Sequence, residues 1–182
     1  MNHSGQASME FVLVLVFMLV IVAAIVLPLG QTLQYALEDV SVTGHISSGI
    51  NRIESSVSTM TIIPGNSRQD LDFFLPGNTR VLCNSVDNNV GFYFELKTSV
   101  FDASGAVPAG CTENGIGSVP AMSCVKYYVF PPSADLRCQG SATDEFVLES
   151  GQKGFSQNFR LGSKYAPGIP NVPSYTIDLN VV

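Results

Sequence analysis

From Phe11 to Leu29 the chain carries no charged residue, and most positions are Val, Leu, Ile, Phe, Met or Ala. No other feature restricts the fold so sharply. Nineteen such residues make a helix of ~28 Å, about the thickness of a bilayer's hydrocarbon core. Beyond the run, Gly, Pro, Asn, Ser and Thr become frequent and the apolar stretches shorten, which divides the chain into an anchor and a polar-surfaced head. Only 13% of the residues are charged, about half the usual share of a soluble protein. The net charge is −6 and the nine Lys and Arg are scattered. A nucleic-acid partner is therefore not expected, because replacing phosphate counterions takes clustered cations.

The order of signals before the run is unusual. A secretory signal has a basic start, an apolar stretch of roughly 7–15 residues and then a small-residue cleavage site. Here Met1 to Gly5 lacks Lys and Arg, and the small polar cluster Ser4-Gly5-Gln6-Ala7-Ser8 precedes the apolar run. A cut at Val22-Ala23-Ala24 would fall inside the run; the plain alternative is an uncleaved single-span anchor. Glu10 stands one residue ahead of the run. Unpaired in lipid, its carboxylate would cost several kcal/mol, whereas at the membrane edge it would cost little. A functional role needs a partner cation, such as an α-amino group freed by a cut a few residues upstream.

The segment Gln6-Ala7-Ser8-Met9-Glu10-Phe11, following Gly5 and running into Val12-Leu13-Val14-Leu15, resembles archaeal type IV pilin-like proteins with a class III signal peptide. The likeness covers about the first 30 residues closely; a runner-up resemblance is to bacterial tight-adherence minor pilins. In the archaeal family a dedicated membrane aspartyl peptidase cuts the leader before the Gln, and the apolar segment packs with its neighbours as the filament core. The resemblance thus implies leader cleavage between Gly5 and Gln6, and makes Glu10 the assembly and register residue that pairs with the Gln6 amino group of another subunit. Such leaders usually carry Lys or Arg before the Gly, where this chain has Ser4. The implied partners are the membrane, like subunits or related pilins, the prepilin peptidase and the assembly machinery.

Past the run, Pro28 removes one helical hydrogen bond and favours a kink, and Gly30 softens the same place. The pattern then resumes, with Leu33, Leu37, Val40, Ile46, Ile50, Ile53 and Val57 mostly three or four apart and Gln31, Glu38, Ser41, Ser48 and Arg52 opposite. This stripe predicts a helix whose second half lies against the head. Pro64-Gly65-Asn66 predicts its end near Met60. Strands are expected at Leu71–Leu75, Thr79–Cys83, Val90–Lys97, Val125–Phe130, around Leu136, at Phe146–Glu149 and at Tyr175–Val181. Residues 103–123 and 151–173 read as long surface loops. The expected fold is α+β: a long N-terminal transmembrane or stalk helix, kinked near Pro28, packed by its C-terminal half on a mostly antiparallel head of five to seven strands. The expected divisions are a leader at 1–5, a filament-core helix at 6–30, its amphipathic continuation at 31–60 and an extracellular β head at 61–182.

All four cysteines, Cys83, Cys111, Cys124 and Cys138, fall in the head without any C-x-x-C pair. An even number of widely spaced cysteines behind a membrane segment predicts two disulfides in an oxidising compartment, against the alternative of buried free thiols. Cys124 and Cys138 bracket a hairpin expected around Pro131, which pairs them and leaves Cys83 with Cys111; two other connectivities stay open. No catalytic or cofactor motif stands out, so neither an enzyme nor a cofactor is expected. His45 reads as an ordinary helix-surface residue. Asp70 and Asp72 share a strand face that could meet a cation, as could Asp87-Asn88-Asn89, yet calcium takes about six oxygens and a tight turn explains the latter. Phe155, Phe159 and Tyr165 fit core packing better than a contact surface. The expected function is a pilin or minor pilin, a membrane precursor that becomes part of a cell-surface filament. The alternative is a single-span, membrane-anchored binding or adhesion domain that does not polymerise.

Overall fold

The computed structural model describes residues 4–62, 66–99, 106–115, 117–118, 120–139, 145–151, 153–166 and 174–181, with side-chain surroundings from residue 9 onward except at 145–147, 165–166 and 174–175. A single helix, α1, spans Ser4–Ile62, and the chain separates into two compact units, Met1–Glu38 and Asp39–Val182.

The second unit is built on the C-terminal part of α1 and nine strands among the described residues. These are β1 (Ser67–Leu75), β2 (Arg80–Asn84), β3 (Asn89–Leu96), β4 (Cys111–Glu113), β5 (Met122–Val129), β6 (Ala134–Cys138), β7 (Glu145–Glu149), β8 (Phe155–Ala166) and β9 (Ser174–Val181). They form a four-stranded sheet in the order β1-β8-β9-β6 and a five-stranded sheet in the order β4-β5-β3-β2-β7. Every pairing is antiparallel except β6 with β9, which is parallel. The class is α+β, with more strands than the expected five to seven. The additions are β4 and β8, both inside stretches expected to be loops.

Strand β8 is a correction with a physical reason. Gly, Ser, Lys and Asn punctuate residues 151–173, and that composition predicts loops. Yet Phe159, Leu161 and Ser163 alternate inward while Ser156, Asn158 and Lys164 face out. Pairing with β1 on one side and β9 on the other supplies the backbone partners that local propensity does not. Phe159 is buried and stacks on Phe73 with ring centroids 4.6 Å apart; Phe155 packs partly buried against the same core. The side chain of Tyr165 lies outside the described residues.

The inner faces of both sheets meet in one core with the helix. Leu71, Phe73 and Leu75 of β1, Val90, Phe92, Phe94 and Leu96 of β3, and Ile177 and Leu179 of β9 alternate inward, as period-two strands must when one face is buried. Ile46, Ile53, Val57 and Met60 enter the same core from α1. The buried helix positions Asp39, Ile46, Ile53 and Met60 recur every seven residues, with Val42, Gly49 and Ser56 between them. Val40, expected in this stripe, is 71% exposed, and so are Leu33 (65%) and Leu37 (70%) in the first unit. Val40 lies about 100° around the helix from the heptad phase set by Asp39 and Ile46, so at that position spacing alone chose the wrong side.

Four connections pass between the sheets: β1 to β2, β5 to β6, β6 to β7 and β7 to β8. Two polar residues tie the crossings. Ser150 Oγ accepts from the Thr79 amide at 2.7 Å while the Ser150 amide donates to the Thr79 carbonyl at 2.8 Å. Asn88 accepts at Oδ1 from the Leu136 amide (2.8 Å) and donates through Nδ2 to the Ala134 carbonyl (2.9 Å). The tight turn holding it is closed by Asn84, whose side chain bonds the Asp87 amide and carboxylate, both at 2.9 Å.

The disulfides correct the expected pairing. Cys83 bonds Cys138, joining β2 of one sheet to β6 of the other, and Cys111 bonds Cys124 across the β4–β5 pair. The hairpin that placed Cys124 beside Cys138 does not form. At Pro131-Pro132 the chain leaves one sheet for the other, carrying Cys138 over to Cys83.

Candidate functional site: the apolar helix and the faces of the head

In the first unit the notable surface is α1 itself. None of residues 9–29 is buried; Phe11, Leu19 and Leu29 are 68%, 60% and 59% exposed, and the stretch is long and apolar enough to cross a membrane. That length and composition are compatible with membrane anchoring. Glu10 is exposed on the helix at the start of this surface. Gly5 and Gln6 lie in the helix's first turn, and their side-chain surroundings fall outside the described residues. Helical structure continues through Pro28, where the Thr32 hydroxyl donates to the Pro28 carbonyl at 3.0 Å. Such back-bonding to the i−4 carbonyl is ordinary for a helical threonine, and the carbonyl that loses a partner to the proline is that of Ala24.

In the second unit, Asp39 is the polar residue that the sequence pattern does not reveal. It is 4% exposed, yet its oxygens accept from the amides of Lys97 (2.8 Å) and Thr98 (2.7 Å) and from the Thr98 hydroxyl (2.5 Å). The carboxylate thereby caps the end of β3 and pins it to the helix. Its partners lie 58 and 59 residues away, so no local signal announces it.

The outer faces of the two sheets differ in chemistry. The four-stranded sheet is laced with ion pairs. Arg160 grips Asp70 with Nε at 2.7 Å and Nη2 at 3.3 Å, Arg68 adds a longer pair at 3.9 Å, and Lys164 meets Asp178 at 3.8 Å. The Arg160 hydrogen bond, helped by the charges of Arg160 and Arg68, holds the Asp70 carboxyl below its ordinary range. Asp70 is therefore committed to arginine and does not share a cation with Asp72. Among the described residues no group of three His, Cys, Asp or Glu could hold a metal ion.

The five-stranded sheet carries the Arg80–Glu149 pair at 3.3 Å and also exposes Tyr127 and Val129 beside Tyr93, with the tyrosine hydroxyls 3.1 Å apart and the rings edge to face above Gly91. Their mutual hydrogen bond raises the Tyr93 pKa. Burial, with the charge of Glu54 nearby, raises that of Tyr128 on the opposite face of β5.

A groove of about 270 Å³ lies beside β1, lined by His45, Ser48 and Arg52 of the helix and by Asp72, Phe73, Phe74 and Ser156. The His45 ring sits 5.0 Å from that of Phe74, and Arg52 Nη1 donates to the Asp72 carbonyl. His45 is an exposed residue of the helix, as expected, that also lines this groove.

No protein-family model, no curated protein and no solved structure matches the chain.

Proposed function

We propose that the chain is a structural subunit, a pilin or minor pilin, of a type IV pilus-like surface filament. The observation that carries this reading is the exposed, uncharged surface of residues 11–29, with a single carboxylate just ahead of it at Glu10. Apolar surface of that extent needs a cover. Lipid covers it in the precursor, and the same helix from neighbouring copies covers it in the filament. Cleavage between Gly5 and Gln6 frees an amino group at Gln6 and makes Glu10 the fifth residue of the mature chain. Paired with that amine of an adjacent subunit in an apolar bundle, Glu10 sets the register, because an unpaired buried charge costs about 3–5 kcal/mol. Pro28 gives the helix its kink where the apolar run ends. The β head, stapled by two disulfides, lies outside the cell.

Mass spectrometry of the mature N-terminus, with Glu10→Ala in parallel, tests the reading. The filament subunit starts at Gln6, and the variant inserts in the membrane but does not assemble. A start at Met1, or only initiator Met loss, with full function of the unassembled protein identifies the single-span anchored domain instead.

A further inference from the structure

We propose that the groove beside β1 binds one pyranose ring of a glycan. Its volume of about 270 Å³ falls just below the usual range of small-molecule pockets, which suits a single ring and not an extended ligand. Its lining combines an aromatic side chain with polar groups of both signs. Phe74 is 40% exposed and faces the groove with Phe73 beside it. Among the described residues, Arg52 has no carboxylate partner, and its one hydrogen bond, to the Asp72 carbonyl, leaves most of its five N–H groups free. The Asp72 carboxylate, the hydroxyls of Ser48 and Ser156, and the His45 ring nitrogens are likewise without a hydrogen-bond partner among the described residues.

The mixture of signs selects the ligand class. An isolated anion drawn to Arg52 would also face Asp72, and an isolated cation drawn to Asp72 would face Arg52, so neither gains fully. A neutral ring bearing several hydroxyls meets both. Each hydroxyl donates once and accepts twice, matching an acceptor-only carboxylate, a donor-only guanidinium and two serines. The C–H groups on the face of a pyranose carry slight positive charge and can rest against the negative face of Phe74. An open-chain polyol offers the hydroxyls without that flat face. All the lining residues belong to the second unit, so the inference stands whether or not the chain polymerises.

The test is an NMR titration of the labelled full-length chain, held in a detergent without a sugar headgroup. The probes are methyl pyranosides of glucose, galactose, mannose and N-acetylglucosamine, each taken into the millimolar range. At least one should give saturable shifts at Phe74 and His45. Asp72→Asn and Ser156→Ala should each weaken it by about three- to tenfold with the thermal midpoint unchanged, since neither side chain makes a hydrogen bond or ion pair among the described residues. The proposal is overturned if none of the four glycosides saturates the groove. It is also overturned if sorbitol binds as tightly as the best glycoside, which removes ring recognition. Tighter binding of inorganic phosphate or of a short charged peptide would assign the groove to a charged ligand instead.

Discussion

Asp39 puts a carboxylate at a heptad position where Ile46, Ile53 and Met60 are apolar. Replacing it with Ala removes the acceptor of two part-buried amide bonds, those of Lys97 and Thr98, and should cost about 1–3 kcal/mol. Asn retains one accepting oxygen and should cost less. Urea midpoints of the full-length chain in detergent check the order, and equal midpoints for wild type and Asp39→Ala would remove the clamp from the account. Asp70 gives a pH signature at the same scale. Its folded-state pKa is depressed below 3.8, so the stabilisation is fully present above that value and is lost as pH falls through the lower folded value. The pair is solvent-exposed, and the effect is correspondingly small. The thermal midpoint of Asp70→Asn should therefore trail wild type slightly at pH 5 and above, with the two converging at the acid end. A difference that grew on acidification would reverse the assignment. Gly110 and Gly91 separate two kinds of crowding. A Cβ on Gly110 would fall 2.4 Å from the Val125 carbonyl oxygen at a φ of +82°, against backbone that cannot yield. On Gly91 it would meet the Tyr127 ring at 2.8 Å, an exposed side chain that can swing aside. Gly110→Ala should thus cost about 2 kcal/mol or more and Gly91→Ala about 1 kcal/mol or less, read as shifts of the same urea midpoint.

Among the elements, the disulfides differ in what they join. Cys83–Cys138 links two sheets across 55 residues, and Cys111–Cys124 links neighbouring strands across 13. Loop-closure entropy assigns about 4 kcal/mol to the first and about 3 to the second. Cys83 and Cys138 are also fully buried, so removing their sulfurs leaves a void in the core. The Cys83→Ala/Cys138→Ala pair should accordingly lower the urea midpoint more than Cys111→Ala/Cys124→Ala; the opposite order would place the weight of the head elsewhere. The elements also show what the sequence could disclose. Strand β3 was legible because Val90, Phe92, Phe94 and Leu96 alternate without interruption, and the helix was legible from its spacing. The sheet to which each strand belongs was not. Pro76-Gly77-Asn78 and Pro131-Pro132-Ser133 turn the chain equally well into a hairpin or across to the other sheet, and tertiary partners make the choice. The wrong cysteine pairing followed from that ambiguity. Strand β8 was hidden by its polar and glycine content, although Phe159 and Leu161 already stood two apart. The groove was illegible for the same reason as the Asp39 clamp: His45, Arg52, Asp72 and Ser156 come together only once β1 and β8 pair beneath the helix.

At the scale of the whole molecule, the two units solve the burial of apolar side chains in opposite ways. Residues 39–182 enclose their own core, with both sheets and the helix contributing to it. Among the described side chains of the first unit none is buried, and from residue 9 to 29 each is left open. A stretch with no internal cover must obtain one from its surroundings, and the physical character of that cover can be measured. If it is a bilayer, a lysine at the middle of the run is opposed by about 2.5–3.5 kcal/mol, whereas a lysine beyond the run can reach the interface and costs little. Val20→Lys should therefore lower the fraction of the chain retained in carbonate-washed membranes several-fold, and Leu33→Lys should leave that fraction unchanged. Leu33 is as exposed as the residues of the run, so a surface that is merely hydrophobic would respond to both substitutions alike. Retention of Val20→Lys at the wild-type level would mean that something other than lipid covers the helix in the precursor. The filament reading would then lose its first step, while the fold of the head and the groove beside β1 would stand untouched.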